Sequence, residues 1–424
     1  MISGQAPIHG RALRLKSGNP DPLGSLSRNP NLEPLVLSNL SIVTSLGAGL
    51  DVTLDALRTG RTGLAPCQFE TVKLPTYVGE ISGIDDPANL ASAPCRNSRI
   101  ARRALEQEGF ARNVAHAREK YGADRIGVFV GTSTSGILES ELAYRQRNSA
   151  TGRLPAAYDY AHSHNTFSVA GFVTEHLGLE GPAVALSSAC ATTSKVFGTA
   201  SRMIAAGLCD AAIVGGADSL CLTTLYGFHS LNLLSPSPCR PFDGGRDGIS
   251  IGEAAGFALL EKPSQAKSSD AVMLLGVGES NDAHHMSTPH PEGLGARLAM
   301  ERALAAAKLD PKDIGYINLH GTATQPGDAS EDLAISGLFG TDTPCSSTKG
   351  QTGHTLGAAG IVEAIIASLS LRHGLLPGSP NTMTLDKNLR SRYIVKSEKA
   401  NLDRVMSNSF GFGGSNCSLI LGRA

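Results

Sequence analysis

The chain has 424 residues and carries 37 basic against 38 acidic side chains, so nothing global points to nucleic acid or an anionic membrane surface. Forty-eight glycines, no tryptophan and few aromatics suit the tight turns and layered packing of an α/β enzyme with a large core. No apolar run approaches the ~20 residues that a membrane helix needs, and eight cysteines without a CxxC or framework spacing read as reduced thiols in a cytoplasmic protein.

Residues 1–33 are rich in Gly, Pro, Asn, Arg and Ser and lack the apolar core of a signal peptide, so a disordered arm is expected. From Leu35, LVLSNLSIVT reads as a strand, followed by a Gly-containing turn and a short helix through Leu54, Ala56 and Leu57. An arginine-rich helix is expected from Arg96 to Gln107, then a strand from Arg125 to Gly131 that ends in the small-residue turn Thr132 to Gly136. Pro182 to Leu186 has strand length, and Ser187, Ser188 and Ala189 lead into Cys190. Beyond it, Val196, Ala200, Met203 and Ile204 recur at helical spacing, with Gly207 at the expected stop. Cys190 therefore falls at a strand-to-helix junction. Unpaired N–H groups and the positive end of the helix dipole favour an anion there, so a thiolate should form more easily than in free cysteine. That is where a nucleophile would stand, although a buried structural cysteine is the plainer alternative.

Ala211 to Val214 reads as another strand ending in Gly215 and Gly216, and Glu261 to Asp270 has the composition of a linker. The same grammar then returns: a strand over Val272 to Val277, a helix over Leu298 to Lys308, and a strand over Ile314 to Leu319 that ends in His320. RIGVFVGTSTSG is echoed by DIGYINLHGTATQ, and ALSSAC by PCSSTKG. We read an internal duplication of βα units, with one half over residues 34–265, the other over 266–424, and a mostly parallel sheet in each.

His320 stands at the end of a strand, where α/β proteins place catalytic groups. His354 lies in STKGQTGHTLGAAG, a turn leading into a helix from Ile361 to Leu371, with Lys349 five residues before it. Neutral imidazoles can donate hydrogen bonds to a developing oxyanion, and a lysine can hold a carboxylate or tune its neighbours. In SNSFGFGGSN, glycines around Phe410 and Phe412 let backbone approach a ligand and aim an N–H at it. The charges of CRPFDGGRDG, with Glu253 beyond it, are expected to pair and brace a buried loop.

Together SSAC, NLHGTATQPGD, STKGQTGHTLGAAG, CRPFDGGRDG and NSFGFGGSN resemble the elongating β-ketoacyl-acyl carrier protein synthases of the type II system, in order and spacing from about Leu35 to the C-terminus. The resemblance implies a thiolase-type fold, an α/β sandwich of five layers, αβαβα, shared by two similar halves. It implies a homodimer, or a heterodimer with a related synthase subunit, and acyl carrier protein as partner. No cofactor or metal is implied, the substrates riding on the carrier's phosphopantetheine arm.

By the same resemblance Cys190 would be the acyl-accepting nucleophile, with the N–H groups of Cys190 and Phe412 as oxyanion hole and Phe410 beside it. His320 and His354 would hydrogen-bond the malonyl thioester oxygen during decarboxylation. Lys349 would organise that site with Glu331. Thr322 and Thr324 would hold the pantetheine arm, Phe412 would gate the acyl site, and Phe228 resembles a second mobile loop residue. Thr134 stands where a bulky apolar residue usually lines the acyl pocket. Asn232 stands near a usual basic contact to the carrier, so carrier recognition is expected to use Arg96, Arg99, Arg102 and Arg103. These departures make a specialised synthase of polyene or other secondary metabolism the alternative to housekeeping fatty acid elongation. A silent scaffold subunit is the alternative of another class, and Cys190 speaks against it.

Overall fold

The computed structural model describes residues 33–86, 93–263 and 271–423. The expected N-terminal arm, apart from its last residue, and most of the expected linker lie outside the described residues.

Two runs of five strands share one topology. The first contains β1 (Leu35–Thr44), β2 (Ile126–Gly131), β3 (Ala183–Leu186), β4 (Ala211–Asp218) and β5 (Ala254–Glu261), in the spatial order β3-β2-β4-β5-β1. The second contains β6 (Val272–Asn281), β7 (Tyr316–Asn318), β8 (Pro344–Ser346), β9 (Arg404–Gly411) and β10 (Ser415–Arg423), in the order β8-β7-β9-β10-β6. In the first, β1 pairs antiparallel with β5 and β5 with β4, while β4–β2 and β2–β3 are parallel. In the second, β6–β10 and β10–β9 are antiparallel while β9–β7 and β7–β8 are parallel. Equivalent strands thus lie in the sequence echoes: β2 within RIGVFVG and β7 within IGYINLH, while β3 leads to SSAC and β8 runs into SSTKG. The halves meet where Leu35–Leu37 pair antiparallel with Val272–Leu274.

Both faces of each sheet are covered. On β4, Val214 packs into the core between the sheets and Ile213 into the outer core; on β10, Leu419 and Ile420 divide the same way. Successive residues point to opposite faces, so a strand covered on both sides reads as a continuous apolar run instead of an alternating one. Helices α1 (Arg96–Leu105), α2 (Phe110–Tyr121) and α3 (Ser168–Leu177) form one outer layer, with Ile100, Phe110 and Val173 packed around Phe257 of β5. Helix α4 (Thr192–Ala205) lies in the middle layer. Helices α5 (Leu294–Ala307) and α6 (Gln325–Phe339) form the other outer layer, built on Met300, Leu304 and Ile335. Helix α7 (Ala359–His373) joins α4 in the middle, where Phe197, Ile361 and Ile365 fill the space between the sheets.

Helix α7 is buried nearly all round, as apolar residues on every side of it require. The stretch Leu356–His373 is long and apolar enough by composition to cross a membrane, which the reading of the sequence had not expected; 89% of it is buried in the protein core. Helix α4 ends just before Gly207, as its pattern predicts. Strand β4 runs on through Gly215 and Gly216 to Asp218, past the expected break, because β2 pairs with it as far as Gly216 and β5 along its whole length. Strand β5 itself was not foreseen: in AAGFALLE, alanine and glycine hide a strand that both layers bury. The expected halves 34–265 and 266–424 are repeats within one body, since α7 of the second packs against β5 of the first.

The C-terminal ends of the parallel strands converge. Thr132, Cys190 and Asp218 follow or end β2, β3 and β4; His320, His354 and Phe412 follow β7, β8 and β9. Open α/β sheets place their sites at such ends.

Candidate active site

Cys190 sits in a tight elbow between β3 and α4. Ala189 is held at φ 47, a left-handed conformation costly for a residue with a Cβ. Thr192 closes the elbow: its hydroxyl accepts from Ser188 N–H (2.7 Å) and donates to Ala189 C=O (2.6 Å). The sulfur is thereby aimed at His354, whose Nε2 lies 3.1 Å away, and the Phe412 N–H is directed at it from the opposite half. A Cβ on Gly411 would lie 3.0 Å from the Cys190 backbone nitrogen, so the absence of a side chain there keeps these N–H groups accessible. Burial pushes the thiol up to about 11, against the pull of the Lys349 charge and the Phe412 N–H, with Asp218 adding to the rise. The expected easy thiolate is therefore reversed: desolvation outweighs the helix terminus.

The two imidazoles are fixed from behind. Glu331 accepts from the N–H of His320 (2.8 Å) and of Gly321 (2.7 Å), which pins the turn after β7. Lys349 Nζ donates to His320 C=O (2.5 Å) and stands 3.4 Å from His320 Nδ1. Its charge is met by Glu363 of α7, both side chains being 2% exposed. Glu331, expected beside Lys349 at this site, accepts from the His320 N–H while Lys349 donates to the His320 C=O, and the partner added to them is Glu363. His354 Nδ1 accepts from Leu356 N–H at 3.3 Å. With a donor on each Nδ1, both rings are left as Nε2–H tautomers. They meet edge to face at 5.3 Å, and the nearest donor atoms of Cys190, His320 and His354 lie within 4.8 Å of one another. Burial first, then the Lys349 charge, holds both imidazoles well below their ordinary value, so they are neutral. Burial also pushes Glu331 up to about 7 and raises Glu363, whose shift Lys349 opposes.

Cys190, His320 and His354 open into one cavity of about 210 Å³ that also reaches Thr322, Thr324, Glu331, Phe228, Phe410 and Phe412. The Thr322 and Thr324 hydroxyls are 3.0 Å apart across Ala323, itself at φ 65. Phe228 and Phe412 pack at 5.6 Å, and Phe410 stands 6.1 Å from His320. The cavity wall is mostly apolar, with polar side chains set into it, as binding of a largely apolar substrate arm requires.

Other expected residues lie elsewhere. Thr134 does not line this cavity: it is buried, and its hydroxyl donates to Asp218 at 2.8 Å. Arg96 is 2% exposed and pairs with Glu253 (2.5 Å) and Asp85, so it braces the core and cannot touch a carrier protein. Arg99 pairs with Asp85 at 2.7 Å and is largely sequestered; Arg102 pairs with Glu106 (2.7 Å), and Arg103 donates to Ser82 C=O (2.8 Å), both partly exposed. The CRPFDGGRDG loop is braced as expected, Arg246 reaching Asp328 (3.4 Å) and Asp386 (2.7 Å). Glu363 and Asp218 were missed. A lone acid in the otherwise apolar turns of α7 was a usable signal, because a buried charge demands a partner; Asp218 gave none.

Two family profiles match the chain: the β-ketoacyl synthase N-terminal domain over residues 95–266 and the β-ketoacyl synthase C-terminal domain over residues 271–383. A curated relative, 3-oxoacyl-(acyl-carrier-protein) synthase 2 of Vibrio cholerae, is 32% identical over 92% of this chain and 99% of its own length. Among solved structures, the complex of the ketosynthase ApeO with its chain length factor ApeC from Xenorhabdus doucetiae matches with a TM-score of 0.82 and 40% identity, covering 93% of this chain and 99% of the matched one. A β-ketoacyl synthase from Burkholderia phymatum matches with a TM-score of 0.79 and 30% identity, over 92% and 100%. The doubled sandwich and its cysteine–histidine–histidine centre define a condensing enzyme of the thiolase superfamily. The chain belongs to the β-ketoacyl synthase family, within the type II acyl-carrier-protein-dependent synthases.

Proposed function

We propose that Cys190 takes an acyl group from an acyl carrier protein and that the chain then extends it by two carbons with malonyl carrier protein. The convergence of Cys190 with two neutral Nε2–H donors and the Phe412 N–H carries this reading. In the first half-reaction the Cys190 sulfur attacks the acyl thioester carbon. The oxyanion is held by the N–H groups of Cys190 and Phe412, and the carrier thiol leaves with the proton. In the second, His320 and His354 hydrogen-bond the malonyl thioester oxygen while the carboxylate leaves as carbon dioxide. The resulting enolate carbon attacks the acyl-Cys190 carbonyl, the C–S bond breaks, and the Cys190 thiolate takes a proton from solvent.

Burial, with the Lys349 charge adding to it, keeps the imidazoles unprotonated and therefore able to donate without themselves becoming cations. Thr322 and Thr324 would bind the amides of the pantetheine arm, and Phe412 against Phe228 would gate the acyl site. These steps use side chains and backbone of this chain, with both substrates on the carrier's phosphopantetheine. Eight unpaired cysteines support a reducing, cytoplasmic setting. A second thiolase-like chain, identical or related, would add to the outer edge of β3, whose four apolar residues are half-buried and which pairs only with β2 among the described residues.

A specialised role in building polyene or polyketide chains is favoured by the 40% identity to a chain of a ketosynthase–chain length factor complex. The test is intact mass after incubation with acyl carrier proteins from short saturated to polyenoic, beside Cys190→Ala. One acyl mass on the parent only, discharged by malonyl carrier protein, is expected, and the preferred acyl group assigns the role. No acylation of the folded parent by any donor would overturn the reading in favour of a scaffold subunit.

A further inference from the structure

Asp218 ends β4, is fully buried, and among the described residues pairs with no lysine or arginine side chain. Its carboxylate is met instead by hydrogen-bond donors from two separate segments. From the turn after β2 come Ser133 N–H (2.8 Å), Thr134 N–H (2.9 Å) and the hydroxyls of Thr132 (2.7 Å), Ser133 (2.5 Å) and Thr134 (2.8 Å). From the turn after His354 comes Gly357 N–H, at 2.5 Å. These donors satisfy the buried carboxylate oxygens, and they tie the two halves of the fold together at one point.

The Gly357 end of this clamp has a chemical consequence. Leu356, next to Gly357, is held at φ 53, and its N–H is the donor that occupies His354 Nδ1. A leucine does not keep a left-handed conformation unless neighbouring contacts enforce it. Gly357 is gripped on both sides: its N–H by Asp218 and its C=O by the Thr193 hydroxyl of α4, at 2.6 Å. A Cβ at Gly357 would sit 2.7 Å from Asp218 Oδ2, so the turn closes onto the carboxylate without room for a side chain.

We infer that Asp218 is a positioning residue: by clamping the Leu356–Gly357 turn it keeps a donor on His354 Nδ1 and so holds His354 as the Nε2–H tautomer facing Cys190. Its catalytic meaning rests on the proposed role of His354 at the thioester oxygen. An imidazole whose Nδ1 lost that donor could take the other tautomer and offer a lone pair where a donor is needed.

The full chain labelled with 15N-histidine gives the test, through long-range proton–nitrogen correlations that distinguish the tautomers, with His354 assigned by its loss in His354→Asn. The parent should show the Nε2–H pattern; an Nδ1–H pattern there overturns the inference with no variant made. In Asp218→Asn the pattern should become mixed, and malonyl decarboxylation should fall on the order of tenfold to a hundredfold in kcat with KM kept. An unchanged tautomer in the folded variant overturns it. Should Asp218→Asn not fold, Gly357→Ala presses on the same contact from the other side. The same loss of the Nε2–H pattern is expected there, and its retention overturns the inference. The tautomer is read without substrate, so this test stands or falls separately from the acylation experiment.

Discussion

His354 Nε2 meets Cys190 Sγ at 3.1 Å with its proton in place, because Leu356 N–H already occupies the other ring nitrogen. The pair is therefore a thiol beside a hydrogen-bond donor, unlike the cysteine–histidine ion pairs that hold a ready thiolate. Acylation must draw its driving force from the oxyanion hole and the leaving carrier thiol.

Alkylation of Cys190 by iodoacetamide should accordingly be slow at neutral pH and rise about tenfold per pH unit through pH 9.5, since burial pushes the thiol up to about 11. Intact mass against Cys190→Ala reads the rate. A plateau below pH 8 would refute the raised value.

The histidines should matter unequally to the two half-reactions. His320→Ala and His354→Ala should still be acylated at Cys190, but malonyl decarboxylation should drop by on the order of a hundredfold to a thousandfold, the usual loss when one oxyanion donor is removed. Carbon dioxide release and acyl-enzyme mass separate the two. Equal loss in both would contradict the assignment of the rings to the second step.

Lys349 and Glu363 form an ion pair in which both side chains are buried. Lys349→Met or Glu363→Leu alone should cost about 3–5 kcal/mol, because each strands a charge, while the double variant should cost markedly less than the sum. Urea unfolding of the four proteins measures the coupling, and strict additivity would show that the two side chains do not depend on each other.

Stability should also depend on pH in a direction that these groups set. His320 and His354 titrate well below 6.5 in the fold, so as pH falls the unfolded chain takes up their protons first. Their contribution is complete above about pH 6.5 and drains away below it. Glu331, raised to about 7, has the opposite sign: its contribution is present below about pH 4.5 and is lost as pH rises through 7. Between pH 7 and pH 5 the urea midpoint of His320→Asn should therefore fall less than that of the parent, and that of Glu331→Gln should fall more. The reverse order would invalidate both directions.

Much of this site was legible because each reacting side chain lies in a short run of small residues whose spacing survives in one dimension: SSAC, HGTAT and GQTGHTLG. The strand echoes likewise located equivalent positions of the two repeats before any geometry was known. What the sequence could not show were partners brought together by the fold. Arg96 looked like surface charge on an arginine-rich helix, yet Glu253, 157 residues away, draws it into the core. The resemblance set Glu331 beside Lys349 at the histidine site, but it did not show that α7 carries Glu363 to the ammonium while Glu331 accepts from two backbone N–H groups. The thiol's expected acidity failed for a related reason, since a helix terminus can be recognised from pattern while the depth at which it is buried cannot.

The protonated resting state of Cys190 also bears on how long the enzyme lasts. Peroxide oxidises thiolates far faster than thiols, and sulfinic and sulfonic acids are dead ends for a nucleophile. A sulfur kept as thiol in a buried junction, its pKa pushed up to about 11, stays off that ladder between turnovers. Its sluggishness toward small electrophiles and its durability under oxidative stress thus share one origin, the cost of placing a negative charge in that junction, and a variant that lowered the cost to gain speed would shorten the enzyme's working life.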